Sequence, residues 1–315
     1  MNRALVTGAT GQDGSYLCER LADDGLEVHA VVEDATAAAE HPWLQAVQLH
    51  QLDLRDTAAL QGLVAAVAPG ELYNLAGLSS VARSWTEPVL TAQVNGLAVA
   101  VLLQAAWELQ RGAGEPVRFV QASSAEMFGT APHSPQDEST PIAPTNPYGA
   151  AKANAHQLVG VYRGLGLHAS SCILYNHESP RRPDTFVTRK ISKAAARIAR
   201  GEQDTLALGA LDVRRDWGWA PDYVDGMVRA ARHEVAGDYV LATGVTHTVR
   251  EFAAAAFTAA GITEWEHLVQ VDQEFLRPVE TAQLCGDSTR ARQVLGWGHS
   301  VDFDTLVQRM VDADR

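Results

Sequence analysis

Four side chains in this 315-residue chain could act together on an alcohol: Ser124, Glu126, Tyr148 and Lys152. Tyr148 and Lys152 form a Y-x-x-x-K pair in "NPYGAAKANA". Residues four apart share one helix face, so the ammonium can sit below the phenol. A free phenol titrates near ~10. A neighbouring Lys⁺ and a cationic hydride acceptor would favour the phenolate, making Tyr148 a usable base near neutral pH. A Tyr/Lys oxidoreductase also needs a serine hydroxyl, which Ser124 offers in "QASSAEMFG". Glu126, two residues on, is surplus to that redox set. It points to an acid/base step beside hydride transfer; a surface glutamate or a helix-cap neighbour is the alternative.

The hydride acceptor is implied upstream. "VTGATGQDGSYL" sets Gly8, Gly11 and Gly14 after a strand and at the start of a helix, with Gln12 and Asp13 between the last two. Glycines let the backbone turn tightly and approach a pyrophosphate, whose charge a helix N-terminus favours. The pattern predicts dinucleotide binding. The second strand ends "VVEDAT", where a carboxylate normally accepts from ribose hydroxyls and an NADP enzyme presents arginine. Glu33 and Asp34, with no nearby base, favour NAD over NADP; a solvated acidic turn is the alternative. Asp53 and Leu54, in "HQLDLRD", fit an adenine-side contact, although Asp53 could equally cap the next helix.

The elements that must position these residues alternate in type. RALVT, EVHAVV, VQLHQ, ELYNL, VRFVQAS and ASSCILY read as buried strands, with helices at Gly14–Asp24, Thr57–Ala66, Pro88–Gln110 and Pro147–Gly164 between them. That predicts an α/β, Rossmann-type doubly wound parallel sheet. After Tyr175 the pattern breaks at "NHESPRRPDTF", then gives a basic helix (Val187–Arg200), short elements and a late helix near Phe303–Asp312. A dinucleotide-binding domain over 1–174, with a returning segment near 222–246, is expected. A smaller mixed α/β substrate domain takes 175–221 and 247–315.

Composition narrows the classes. A formal charge of −13 argues against general attraction to nucleic acid or anionic membrane. No signal peptide or run long enough to span a bilayer is evident. Cys18, Cys172 and Cys285 form neither a metal spacing nor a disulfide framework, so a reducing cytoplasm is expected and no metal site.

The glycine loop, Ser124, Tyr148 and Lys152 resemble the extended short-chain dehydrogenase/reductase superfamily over the first half of the chain. "TGATGQDGSYL", "NHESPRRPDTFVTRKIS", "LDVRRDWGWAPDYVDGM" and "RPVETAQLCGDSTRARQVLGW" extend the likeness over nearly the whole chain, to GDP-mannose 4,6-dehydratases. That resemblance implies a lyase. A sugar C4 hydroxyl is oxidised, C5–H becomes acidic, water leaves from C5/C6, and the hydride returns to C6. It makes Ser124 the partner of the C4 oxygen, Tyr148 its base, Lys152 the support and Glu126 the C5 base. It also places Asn176, Lys190, Arg215, Arg277 and Glu280 on a GDP-sugar. A related nucleotide-sugar epimerase or 4-keto reductase would share the redox trio but use Glu126 less.

The chain departs from the family in places. Relatives usually carry an Arg-rich segment after the second strand, use NADP and form dimers or tetramers partly through it. Here "VVEDATAAAEHP" is short and acidic, which points to NAD and to a homodimer rather than a tetramer. Ala125 replaces a common serine, and Trp219 stands where histidine is frequent.

Overall fold

A computed structural model describes residues 2–275 and 283–315. The apolar runs of the first half form β1 (Arg3–Thr7), β2 (Glu27–Val32), β3 (Gln48–Gln51), β4 (Glu71–Asn74), β5 (Arg118–Ser124) and β6 (His168–Leu174). The second half adds β7 (Asn176–Glu178), β8 (Leu206–Leu208), β9 (Arg214–Trp219), β10 (Asp238–Leu241), β11 (Thr246–Thr248), β12 (Val269–Val271) and β13 (Gln283–Leu284). The helices of the first half are α1 (Gln12–Asp23), α2 (Ala35–Ala39), α3 (Thr57–Val67), α4 (Val81–Thr86), α5 (Pro88–Ala92), α6 (Ala98–Ala113) and α7 (Pro147–Gly164). Those that follow are α8 (Val187–Ala199), α9 (Ala220–Arg232), α10 (Val249–Ala259), α11 (Thr289–Leu295) and α12 (Phe303–Asp312).

Seven parallel strands stand in the order β10-β6-β5-β4-β1-β2-β3. The chain winds outward from β1 in one direction, then resumes at β4 in the other. At such a reversal the crossover helices lie on opposite faces, so a crevice opens beyond the strand ends. One face is sealed by α1 and α9 through Leu17, Leu21, Met227 and Val228, the other by α3, α6 and α7 through Leu60, Val64, Leu102, Leu103 and Val159. Leu102 and Leu103 are fully buried; truncating either to alanine should cost about 2–5 kcal/mol.

The helix expected over Pro88–Gln110 is interrupted. Between α5 and α6 lies one π-helical stretch, Gln93–Leu97. The wider turn brings Asn95 inside, where it is 1% exposed. A buried amide must be paired, and Asn95 accepts from Leu78 N (2.8 Å) and donates to Leu78 O (3.0 Å). As one continuous 26-residue stretch, Pro88–Ala113 has the length and mean hydropathy (1.6) to cross a bilayer, which the sequence reading had not found. Half of its apolar 18-residue window is buried inside this fold, where α6 packs on α3 and α7.

Beyond β6 the chain builds smaller sheets. β9 pairs with β11, β13 and β7, and β12 pairs with β8. α8, α10 and α12 enclose a second core of Trp217, Phe252, Phe257, Leu306 and Met310. α9 and β10 return to the large sheet, where β10 pairs with β6.

Candidate active site

The glycine loop could be built from no other residue. Gly8 sits at φ +74°, and a Cβ there would lie 2.7 Å from Ala76 N. A Cβ on Gly14 would lie 2.1 Å from Gly8 O. α1 therefore starts hard against β1, with Gly11 as an N-cap that offers no side chain to the first amides. α8 also begins without a side-chain cap, at Phe186. Gly11, Gly14, Thr185 and Phe186 line one cavity of about 1080 Å³, which Arg182 also borders. Two uncapped helix starts and a guanidinium around one cavity suit a pyrophosphate.

Gln12 and Asp13 border the cavity but direct their polar atoms across the molecule. Gln12 donates to His177 O (3.0 Å) and accepts from Ser179 Oγ (2.9 Å). Asp13 Oδ2 lies 2.8 Å from His177 Nε2, while His177 Nδ1 lies 2.7 Å from Tyr175 O. Both ring nitrogens face acceptors, so the ring fits its doubly protonated form. Burial pushes against charge on both groups, yet each overcomes it for the other: Asp13 is held below its ordinary value and His177 above. The pair latches the glycine loop to β7. Spacing gave no signal for it.

At the adenosine end Glu33, Asp34, Asp53, Leu54 and Arg55 line the cavity. Two sequence readings change here. Asp34 caps α2, accepting from Thr36 N and Ala37 N. Asp56, not Asp53, caps α3. The expected absence of a base is also corrected, because Arg55 borders the same cavity near Glu33. Its backbone, Nε and Nη2 all donate to Asp53. Those hydrogen bonds hold the Asp53 carboxyl at about 2.

The catalytic candidates meet at the end of β5. Ser124, 9% exposed, ends the strand, and its Oγ accepts from Glu126 N (3.3 Å). That occupies a lone pair and leaves the hydroxyl proton for Tyr148. Burial pushes the Tyr148 phenol up to about 12, against the Ser124 hydrogen bond and with Glu126 adding to the rise. Burial thus opposes the phenolate, which a cationic hydride acceptor beside the ring would favour. Lys152 is pulled down to about 8 by burial, partly offset by Asp13. Its Nζ donates to Ala122 O (2.8 Å) and lies 5.8 Å from the Tyr148 ring centre. Thr7, Asn74 and Gln121 form a buried polar string across the strand ends to that same carbonyl. Ala125 is 3% exposed among Ile173 and Val240, where a serine hydroxyl would need a partner.

This arrangement joins a dinucleotide crevice, a redox trio and one extra carboxylate. The family described as GDP-mannose 4,6 dehydratase matches residues 5–310. The chain belongs to that family. A GDP-mannose 4,6 dehydratase of Arabidopsis thaliana is 43% identical over 323 residues, covering 99% of this chain and 86% of that protein. Among solved structures, the UDP-glucose 4-epimerase of Thermus thermophilus in complex with NAD is 27% identical, with TM-score 0.83 over 99% of this chain and 98% of that one. RMD from Pseudomonas aeruginosa, complexed with NADPH, is 25% identical, with TM-score 0.79 over 99% of each chain. The GDP-mannose 4,6-dehydratase family uses a nicotinamide cofactor, and these neighbours hold one in either form.

Asn176, Lys190 and Arg215, which the dehydratase resemblance placed on the sugar nucleotide, are not among the residues that line the 1080 Å³ cavity, and neither is the catalytic quartet. Asn176 opens β7 opposite Trp217 of β9. Arg215 is 6% exposed on β9, and one of its nitrogens donates to Arg214 O (2.8 Å). Lys190 on α8 lies 3.5 Å from the Phe275 ring centre, and burial lowers its pKa. Arg277 and Glu280 fall outside the described residues. Trp219 packs on the second core, with Arg309 stacked 5.1 Å over its ring. Asn146 was missed: it caps α7 and donates to Glu126 Oε2 (2.9 Å). The "NPY" start, an N-cap residue before proline, was the available signal.

Proposed function

We propose that this chain converts GDP-mannose to GDP-4-keto-6-deoxy-mannose. The observation that carries the reading is Glu126, which shares one turn with Ser124 and one hydrogen-bonded junction with the helix of Tyr148 and Lys152. Ser124 orients the C4 oxygen by turning toward it the hydroxyl proton that it otherwise gives Tyr148. Lys152, fixed on Ala122 O, supports the Tyr148 phenolate, which takes the O4 proton and becomes a phenol. Glu126 removes the C5 proton and passes one to the departing C6 hydroxyl, which leaves as water; C5 is then reprotonated by one proton from solvent. Bound nicotinamide supplies hydride acceptance from C4 and hydride return to C6.

We assign NAD rather than NADP, because Glu33 faces the adenosine end and the Arg55 guanidinium near it is paired with Asp53. Residues 1–174 with 222–246 would hold the cofactor, and 175–221 with 247–315 the sugar nucleotide. Lys190, Arg215 and Arg277 suit its phosphates, and Glu280 could accept from its ribose. Exposed Val89, Leu97 and Val161 on α5, the π turn and α7 favour a homodimer through those helices, with no membrane or nucleic-acid partner. Three free, buried cysteines suit a reducing cytoplasm.

The test is mass spectrometry of GDP-mannose incubated in heavy water, with NAD or NADP given to cofactor-stripped protein. The expected product is one water lighter and carries one solvent deuteron, with NAD alone restoring turnover. Unchanged mass, or net consumption of reduced cofactor, would replace the dehydratase with an epimerase or a reductase.

A further inference from the structure

We infer that Asn146 is a positioning residue for the elimination step, holding the Glu126 carboxylate while it caps the helix that carries Tyr148 and Lys152. The inference rests on the reading of Glu126 as the C5 base. Asn146 sits in extended backbone, φ −147° and ψ 160°, just before Pro147. Its Oδ1 accepts from Gly149 N (2.8 Å) and its Nδ2 donates to Glu126 Oε2 (2.9 Å). The amide orientation is not interchangeable. Turning it over would set an NH₂ against a backbone N–H and an oxygen against a carboxylate, breaking both bonds.

The distance between the two partners is also set by packing. A Cβ on Gly149 would lie 2.4 Å from Glu126 O, so the first turn of α7 rests directly on the Glu126 backbone. Met127 and Phe128, each 1% exposed, anchor the turn from the other side. With backbone fixed at both ends, Asn146 governs where the carboxylate points relative to Tyr148. Serine, threonine or aspartate could cap α7 equally well. Serine and threonine place donor and acceptor on one short-reaching oxygen and aspartate has no donor, whereas asparagine carries them on separate atoms, Oδ1 for the helix and Nδ2 for the carboxylate. One side chain thereby sets the redox pair and the acid/base group in a common frame.

Asn146→Ser separates the two duties, because serine keeps the cap and is too short to reach Glu126. The purified holoenzyme variant should melt with wild-type protein and keep its KM for GDP-mannose. Its kcat should fall roughly ten- to hundredfold, the scale of one hydrogen bond to a charged group. With C5 proton removal slowed and C4 oxidation untouched, the absorbance of reduced nicotinamide should build up during turnover. The kinetic isotope effect of C5-deuterated substrate should grow. Asn146→Asp, which caps but repels Glu126, should be slower still. Wild-type kcat in Asn146→Ser would overturn the inference, as would a loss of kcat without build-up of reduced cofactor. Glu126→Gln separates the two layers of the argument. If it is inactive while Asn146→Ser is normal, only the positioning role fails. If it turns over normally, the reading of Glu126 itself fails.

Discussion

Burial moves Tyr148 up to about 12 and Lys152 down to about 8, so each group is pushed toward neutrality. Attraction between an ammonium and a phenolate would act the other way, and desolvation exceeds it. Lys152 is therefore charged at neutral pH at a cost to the fold. Its ordinary value is 10.5 and its buried value about 8, a difference of about 3 kcal/mol. That cost is present in full below about pH 8. Between pH 8 and 10.5 the unfolded chain binds more protons than the folded one, so stability is regained as pH rises. Lys152→Met should accordingly abolish dehydration yet raise Tm at pH 7, with the gain shrinking as pH approaches 10. Thermal melts across that range check it; a variant less stable at pH 7 would contradict the desolvation account.

At the scale of elements, the site depends on how closely α7 approaches the turn after β5. Gly149 permits that approach, since any Cβ would meet Glu126 O at 2.4 Å. Gly149→Ala should lose about 1–3 kcal/mol by overpacking and lower kcat more than it changes KM, readable by denaturant titration and initial rates. The elements themselves were largely legible. RALVT and EVHAVV coincide with β1 and β2, and Pro147–Gly164 coincides with α7. Their signals are local: apolar runs, and a proline at N1 behind a capping residue. The π turn at Gln93–Leu97 was not legible, because its reason is a partner 17 residues away, the Leu78 backbone. Asp53 was offered the cap that Asp56 makes; both precede α3, and only the backbone path decides between them.

For the whole molecule, the proposed dimer carries the third expectation. Leu97, 54% exposed, and Val161, 57% exposed, are apolar side chains on α6's approach and on α7. Leu97→Asp combined with Val161→Asp should give a monomer by light scattering while the far-ultraviolet spectrum is kept. An unchanged mass would move the interface elsewhere. What the sequence by itself determined is the fold class and the glycine loop, because those rest on neighbours within a few residues; the Ser124, Glu126, Tyr148 and Lys152 quartet is its proposal. The buried Asp13–His177 latch joins residues 164 apart in sequence. The Asn146–Glu126 bond, between residues 20 apart, is likewise a matter of position. Only the tertiary structure decided these, because hydrogen bonds and desolvation act over a few ångströms of space, and the sheet and its helices choose which distant residues come that close.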